Sequence, residues 1–145
     1  MSRLPATERR EQLLDVAAEL FAKHGYARST TSQLARAAGG TEPIIYRHFS
    51  SKRDLFVALI ERTGKRTLAM WEEHLADAHD PADRVKRLIS DNPMVTRENR
   101  AAYRVMLQAI SEVEDDEAIQ AALDEHMRSV HTFLSKELKH AHAAG

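Results

Sequence analysis

Eight histidines are the first residues here whose chemistry needs testing, because a neutral imidazole binds metals and carries protons at physiological pH. Their spacing argues against a metal centre. There is no His-Glu-x-x-His, and the pairs His74/His79 and His126/His131 lie five residues apart, a poor spacing for one helix face. Glu137 and His140 form a single Glu-x-x-His, whereas a di-iron bundle needs two such motifs and further carboxylates, so this one reads as a solvated tail. The chain has no Gly-x-Ser-x-Gly and no Gly-rich loop ending in Lys-Ser/Thr, and zero cysteines remove thiolate ligands, disulfides and a cysteine nucleophile. An enzyme is not expected, and neither a metal nor a cofactor is assigned. The other concentration of polar chemistry lies between Thr30 and Lys52. There Ile45 and Phe49, four apart, supply one inward stripe and leave Thr41, Glu42, Ile44, Tyr46 and His48 for an outer surface.

The elements that must position these residues are helical. Long segments rich in Ala, Leu, Glu, Arg and Lys, with breakers confined to a few places, predict an all-α chain. A first helix runs from about Thr7 to His24, with Leu13, Ala17, Leu20 and Phe21 at helical steps, and Gly25 stops it. Thr30 and Gln33 form a capping box for a short second helix carrying Leu34, Ala35 and Ala38, which meets Gly39-Gly40. Thr41 can cap a third helix, with Glu42 and Pro43 suited to its first turn, ending near Phe49. Ser51 and Asp54 open a long fourth segment reaching towards Ala78. Further helices are expected from Asp80-Pro81, from about Arg97 to Val113, and over a last segment from Ile119 through Leu138. Two short helices joined by a Gly-containing turn form the unit that sets its second helix in the DNA major groove. Such pairs are also common as plain packing, so spacing alone leaves both readings open.

The string from Thr30 to Lys52, TTSQLARAAGGTEPIIYRHFSSK, closely resembles the DNA-binding segment of TetR-family transcriptional regulators, together with the preceding Gly25-Tyr26. The resemblance covers about residues 8–60. It implies an N-terminal three-helix helix-turn-helix head over residues 1–50 and a helical regulatory body over 51–145, here shortened at its C-terminus. It also implies a homodimer, a double-stranded DNA operator, and a small-molecule effector of unidentified nature. Matched residue by residue, Thr31 and Ser32 fall beside the DNA backbone. Thr41, Glu42, Pro43 and Ile44 form the groove-facing start of the recognition helix, and Tyr46, His48 and Lys52 fall where the family meets phosphates. The chemistry suits those roles. Hydroxyls, helix amino ends and a lysine bind phosphate oxygens; Glu42 can accept from a cytosine amino group; Pro43 and Ile44 can pack on a thymine methyl. Ile44 has the alternative of packing on the first helix, Tyr46 of half burial with its hydroxyl in water, and His48 of a surface imidazole. The family usually has an apolar branched residue where Gly40 stands, so Gly40 is expected to loosen the turn by about 1 kcal/mol.

Charge supports a division of labour. Residues 1–66 hold 12 Lys and Arg against 7 Asp and Glu, while residues 67–145 hold 9 against 15, so the front half is the one fitted to a polyanion. No stretch has the roughly 18 consecutive apolar residues of a membrane span, and the start lacks a signal-peptide pattern; a cytoplasmic protein without membrane partners is expected. In the body, Met70, Trp71, Met94, Tyr103, Met106, Met127 and Phe133 are the candidate effector lining, as Met and aromatic side chains suit an adaptable apolar pocket, although such spacing also fits ordinary core. The chain ends about where the family's two dimer-forming helices would begin. It is therefore expected either to be a fragment or to pair through the stripe Leu123, Met127, Val130, Leu134 and Leu138. The function expected is ligand-responsive repression at an inverted-repeat operator. The alternative is a helical small-molecule-binding or protein-interaction module with a weakened DNA-binding head.

Overall fold

The computed structural model describes residues 4–90, 104, 107, 108, 111 and 115–143, which form helices and, among the described residues, no strand. Among these residues six helices follow in order: α1 (Ala6–His24), α2 (Thr31–Ala37), α3 (Glu42–His48), α4 (Lys52–Leu75), α5 (Pro81–Ser90) and α6 (Glu117–Ala143). The helix expected near residues 97–113 lies mostly outside the described residues; residues 104, 107, 108 and 111 are helical.

Local signals fix most of the boundaries. Gly25 ends α1 at φ 84°, a conformation costly for any residue with a Cβ, while its N–H reaches the Phe21 carbonyl at 2.8 Å. The expected capping box forms: Gln33 N donates to Thr30 Oγ1 at 3.1 Å, and Thr30 N donates to Gln33 Oε1 at 3.0 Å. Beyond α2, Gly39 N donates to the Arg36 carbonyl and Gly40 N to the Ala35 carbonyl, at 3.0 and 2.9 Å, with Gly39 at φ 81°. This is a Schellman closure, and it sets the angle between α2 and α3. Thr41 occupies the cap position of α3, yet its hydroxyl makes no capping bond; Pro43 within the first turn, and not the hydroxyl, marks this start. Ser51 Oγ accepts from Asp54 N at 3.1 Å and opens α4. α4 ends at Leu75, short of the expected Ala78.

The core is continuous across residue 50. Leu13, Leu14, Ala17 and Phe21 of α1 pack with Leu34, Ala35, Ile45, Leu55, Phe56, Leu59 and Ile60, and the same cluster takes in Ile119, Ala122 and Leu123 from the start of α6. Phe21 meets Phe56 edge-on at 5.3 Å between centroids, and Tyr26 closes the group at 4.7 Å from Phe56. Asp116 ties the start of α6 to the start of α4. Its Oδ1 accepts from Ala118 N and Ile119 N to cap α6, while Oδ2 binds Arg53 Nε at 2.7 Å, next to the start of α4.

An ion pair with its carboxylate buried holds the far end. Arg84 of α5 grips the Glu137 carboxylate of α6 through Nε and Nη2, at 2.7 and 2.8 Å, and its Nη1 donates to the Leu75 carbonyl at 2.9 Å. Arg87 Nη1 donates to the His74 carbonyl at 3.2 Å. Two cations from α5 thus satisfy the last carbonyls of α4, the helix end that favours positive charge.

Candidate nucleic-acid interface

The starts of α2 and α4 open into one depression of about 390 Å³, lined by Ala27, Ser29, Thr30, Thr31, Tyr46, Ser50, Ser51 and Lys52. Its lining of hydroxyls, helix amino ends and one lysine is chemistry that can bind an anion. Thr30 and Ser51 use oxygen lone pairs to accept helix amides, which leaves each hydroxyl proton available to donate outward. Thr31 Oγ1 and Tyr46 Oη lie 3.3 Å apart, tying the first turn of α2 to α3; only one of the two protons is used between them. α4 adds the positive end of a helix of 24 residues.

Lys52 is more deeply engaged than a simple phosphate contact requires. Its Nζ donates to the Tyr26 carbonyl at 2.9 Å and the Ser29 carbonyl at 3.2 Å, and lies 4.2 Å from the centroid of the Tyr26 ring. Burial lowers its pKa from the usual lysine value. Two of its three donors close the loop between α1 and α2, and its ammonium also faces the Tyr26 ring. Tyr26, Ser29, Thr30, Ser50 and Ser51 were not singled out as site residues in the sequence. The two caps were legible there, but not their convergence.

The remaining site residues divide by exposure. Ser32, Thr41, Glu42, Pro43 and Tyr46 are exposed, so the start of α3 presents a carboxylate and a proline ring to solvent; Thr31 and His48 are half-buried, the His48 ring lying 6.4 Å from that of Phe49. Ile44 is half-buried and packs against the core. Arg47, next to Tyr46 and exposed, is a cation on the same helix that the sequence reading passed over; Arg36 on α2 is another.

In the body, Trp71 is buried with its ring 5.6 Å from that of Phe133, and Met70 is half-buried. Phe133 lines a groove of about 620 Å³ with Leu68, Glu72, Arg84 and Lys136, among others. A second, of about 320 Å³, lies over Gly64 and His126 between α4 and α6. Met127 lines neither and is 54% exposed, because one residue after His126 the helix has turned about 100° away from α4. Met94, Tyr103 and Met106 lie outside the described residues. Of the expected dimer stripe, Leu123 is buried in the core, Val130 and Leu134 are half-buried, and Leu138 is exposed. Among the described residues no three His, Asp or Glu side chains group to hold a metal, and no helix is long and apolar enough to cross a membrane.

A short helix pair closed by glycine, with the start of its second helix exposed, is the arrangement of a helix-turn-helix. Comparison with known proteins narrows the class. Residues 13–59 match the sequence model of bacterial regulatory proteins of the tetR family. The nucleoid occlusion factor SlmA of Marinobacter nauticus is 30% identical over 131 residues, covering 90% of this chain and 67% of that protein. The HTH-type transcriptional activator FasR of Mycolicibacterium smegmatis is 30% identical over 107 residues, 74% of this chain and 49% of that one. In fold, a transcriptional regulator from Saccharomonospora viridis, solved in complex with choline, superimposes with a TM-score of 0.85 at 22% identity, over 96% of this chain and 72% of that one. This chain belongs to the TetR family of DNA-binding transcriptional regulators. It spans about half the length of FasR and two-thirds of SlmA.

Proposed function

We infer that this protein is a ligand-responsive repressor that binds an inverted-repeat operator as a homodimer in the cytoplasm, placing two α3 helices in successive major-groove faces. One observation carries the reading: the depression shared by the starts of α2 and α4 is also lined by Tyr46 of α3, the helix whose first residues, after Thr41, are exposed. Phosphates bound by the Thr31, Tyr46 and Lys52 groups, with Ser32 and His48 at the margins, set the register; Glu42 and Pro43 then read base edges. An effector held between α4 and α6 favours a separation of the heads that no longer matches the half-sites, a shift between two populated states.

Selection of bound duplexes from a random DNA pool, at low and moderate salt, tests this. Enrichment of an inverted repeat is the expected result. With Lys52 joined by the exposed Arg36 and Arg47, two or three cations engage phosphates per head, and the affinity of the dimer falls by about 10²–10³ over a fourfold rise in salt. Absence of both enrichment and salt-dependent binding overturns the proposal and favours a helical ligand-binding or interaction module. Enrichment of a single half-site overturns the dimer alone. FasR is named an activator, so the direction of regulation is read separately, from a reporter behind the selected operator.

A further inference from the structure

Two adjacent glycines close the α2–α3 turn for different reasons. Gly39 needs to be glycine for its backbone, at φ 81°, whereas Gly40 is not in the left-handed region and is under no such constraint. What Gly40 supplies is space. A Cβ built on it would overlap Ile44 Cδ1 and come within 3.4 Å of Ile44 Cγ1, with Arg9 Nη2 at 3.8 Å. A Schellman closure is ordinarily completed by an apolar contact from its last residue back onto the helix it ends, and here that residue is Gly40, which has no side chain. Ile44, in the first turn of α3, lies against the vacant place and packs on the core, while Arg9 donates to the Ala38 carbonyl at 3.3 Å beside it.

We propose that Ile44 is withdrawn from base reading to act as the plug of the turn, and that the residue at position 40 decides which way it faces. A side chain at position 40 would displace the flexible end of Ile44; Glu42 and Pro43 on the same turn are exposed, and in this proposal the displaced end turns to their side. Gly40 and Ile44 are then one specificity-determining pair: glycine leaves the readout to Glu42 and Pro43, and a larger residue adds a branched apolar group able to meet a thymine methyl. This rests on the DNA-binding reading above.

Stability and DNA preference test the two parts separately. A double-mutant cycle of Gly40→Ala and Ile44→Ala, followed by denaturant unfolding without DNA, measures the plug on its own. Ile44→Ala should lower the folding equilibrium constant about tenfold when Gly40 is retained, and by about twofold or less in the Gly40→Ala background, where the side chain is already displaced. In parallel, a nuclear Overhauser contact between the Ile44 δ1-methyl and the Gly40 α-protons should be present in the wild type. Duplex selection with Gly40→Ala should gain a thymine preference that Ile44→Ala then removes. Additive mutations, or absence of the methyl contact, overturn the plug whatever the DNA result. Coupling with an unchanged base preference overturns the specificity role. Coupling with no duplex selected by any variant overturns the DNA-binding reading and the specificity role together.

Discussion

Replacing Glu137 by Gln removes one charge and almost no volume, and Arg84 makes the consequence calculable. Glu137 is 4% exposed and takes both guanidinium bonds from Arg84, whose side chain keeps 29% exposure. Removing one partner of a fully buried pair costs about 3–5 kcal/mol, because the other charge is left without compensation. Arg84 retains its bond to the Leu75 carbonyl and some contact with water, so about 2 kcal/mol is expected for Glu137→Gln at neutral pH. For a chain of this size that lowers Tm by about 4–8 °C. The pH dependence identifies the origin. The hydrogen bond from Arg84, and then its charge, hold the Glu137 carboxyl below the ordinary 4.5. The stabilisation is therefore complete above the unfolded carboxyl value and is lost as pH falls through the lower folded value. Wild type and Glu137→Gln should differ at neutral pH and converge in acid, followed by urea unfolding under far-UV circular dichroism. A deficit of equal size at both pH values would refute the electrostatic reasoning and assign the loss to packing of the amide.

Lys52→Met keeps most of the apolar stem but removes the bonds to the Tyr26 and Ser29 carbonyls. Unfolding should show a loss of about 1–2 kcal/mol, and DNA affinity should fall for all sequences alike; a fall in affinity with unchanged stability would mean that the internal bonds are idle. Thr30→Ala removes the hydroxyl that accepts from Gln33 N, leaving only the backbone half of the capping box, and should cost about 1 kcal/mol in thermal unfolding, whereas Thr30→Ser should cost much less. In binding titrations Tyr46→Phe should weaken every duplex equally, while Glu42→Ala should alter which duplex is preferred; a Glu42→Ala protein with the wild-type preference would remove its reading role.

Helix starts and stops were legible because their signals are local. Thr30 and Gln33 are three residues apart, Gly25 and Gly39 answer to backbone φ, and the inward pair Ile45 and Phe49 obeys one helical period. The resemblance of residues 30–52 to a known DNA-binding segment supplied the candidate site. Less was legible in the body: Met127, an apolar residue at helical spacing, is exposed, while the charged Glu137 on the same helix is buried. Periodicity finds an apolar stripe, but it cannot say which face meets a neighbour when both carry apolar residues, nor that a distant arginine will make a carboxylate safe to bury.

By itself, then, the sequence determined the all-α class, the helix-turn-helix and the exposed start of α3, since each depends on residues within one or two turns of one another. Tertiary structure alone decided what lies between distant residues: Arg84 on Glu137, 53 positions away, Lys52 on the carbonyl of Tyr26, 26 positions away, and α6 sharing the core of the head. It also decided that Ile44 fills the place beside Gly40. That contact spans only four residues, but a helical residue can turn outward or inward at the same spacing, and only the packed α1–α2–α3 core shows which.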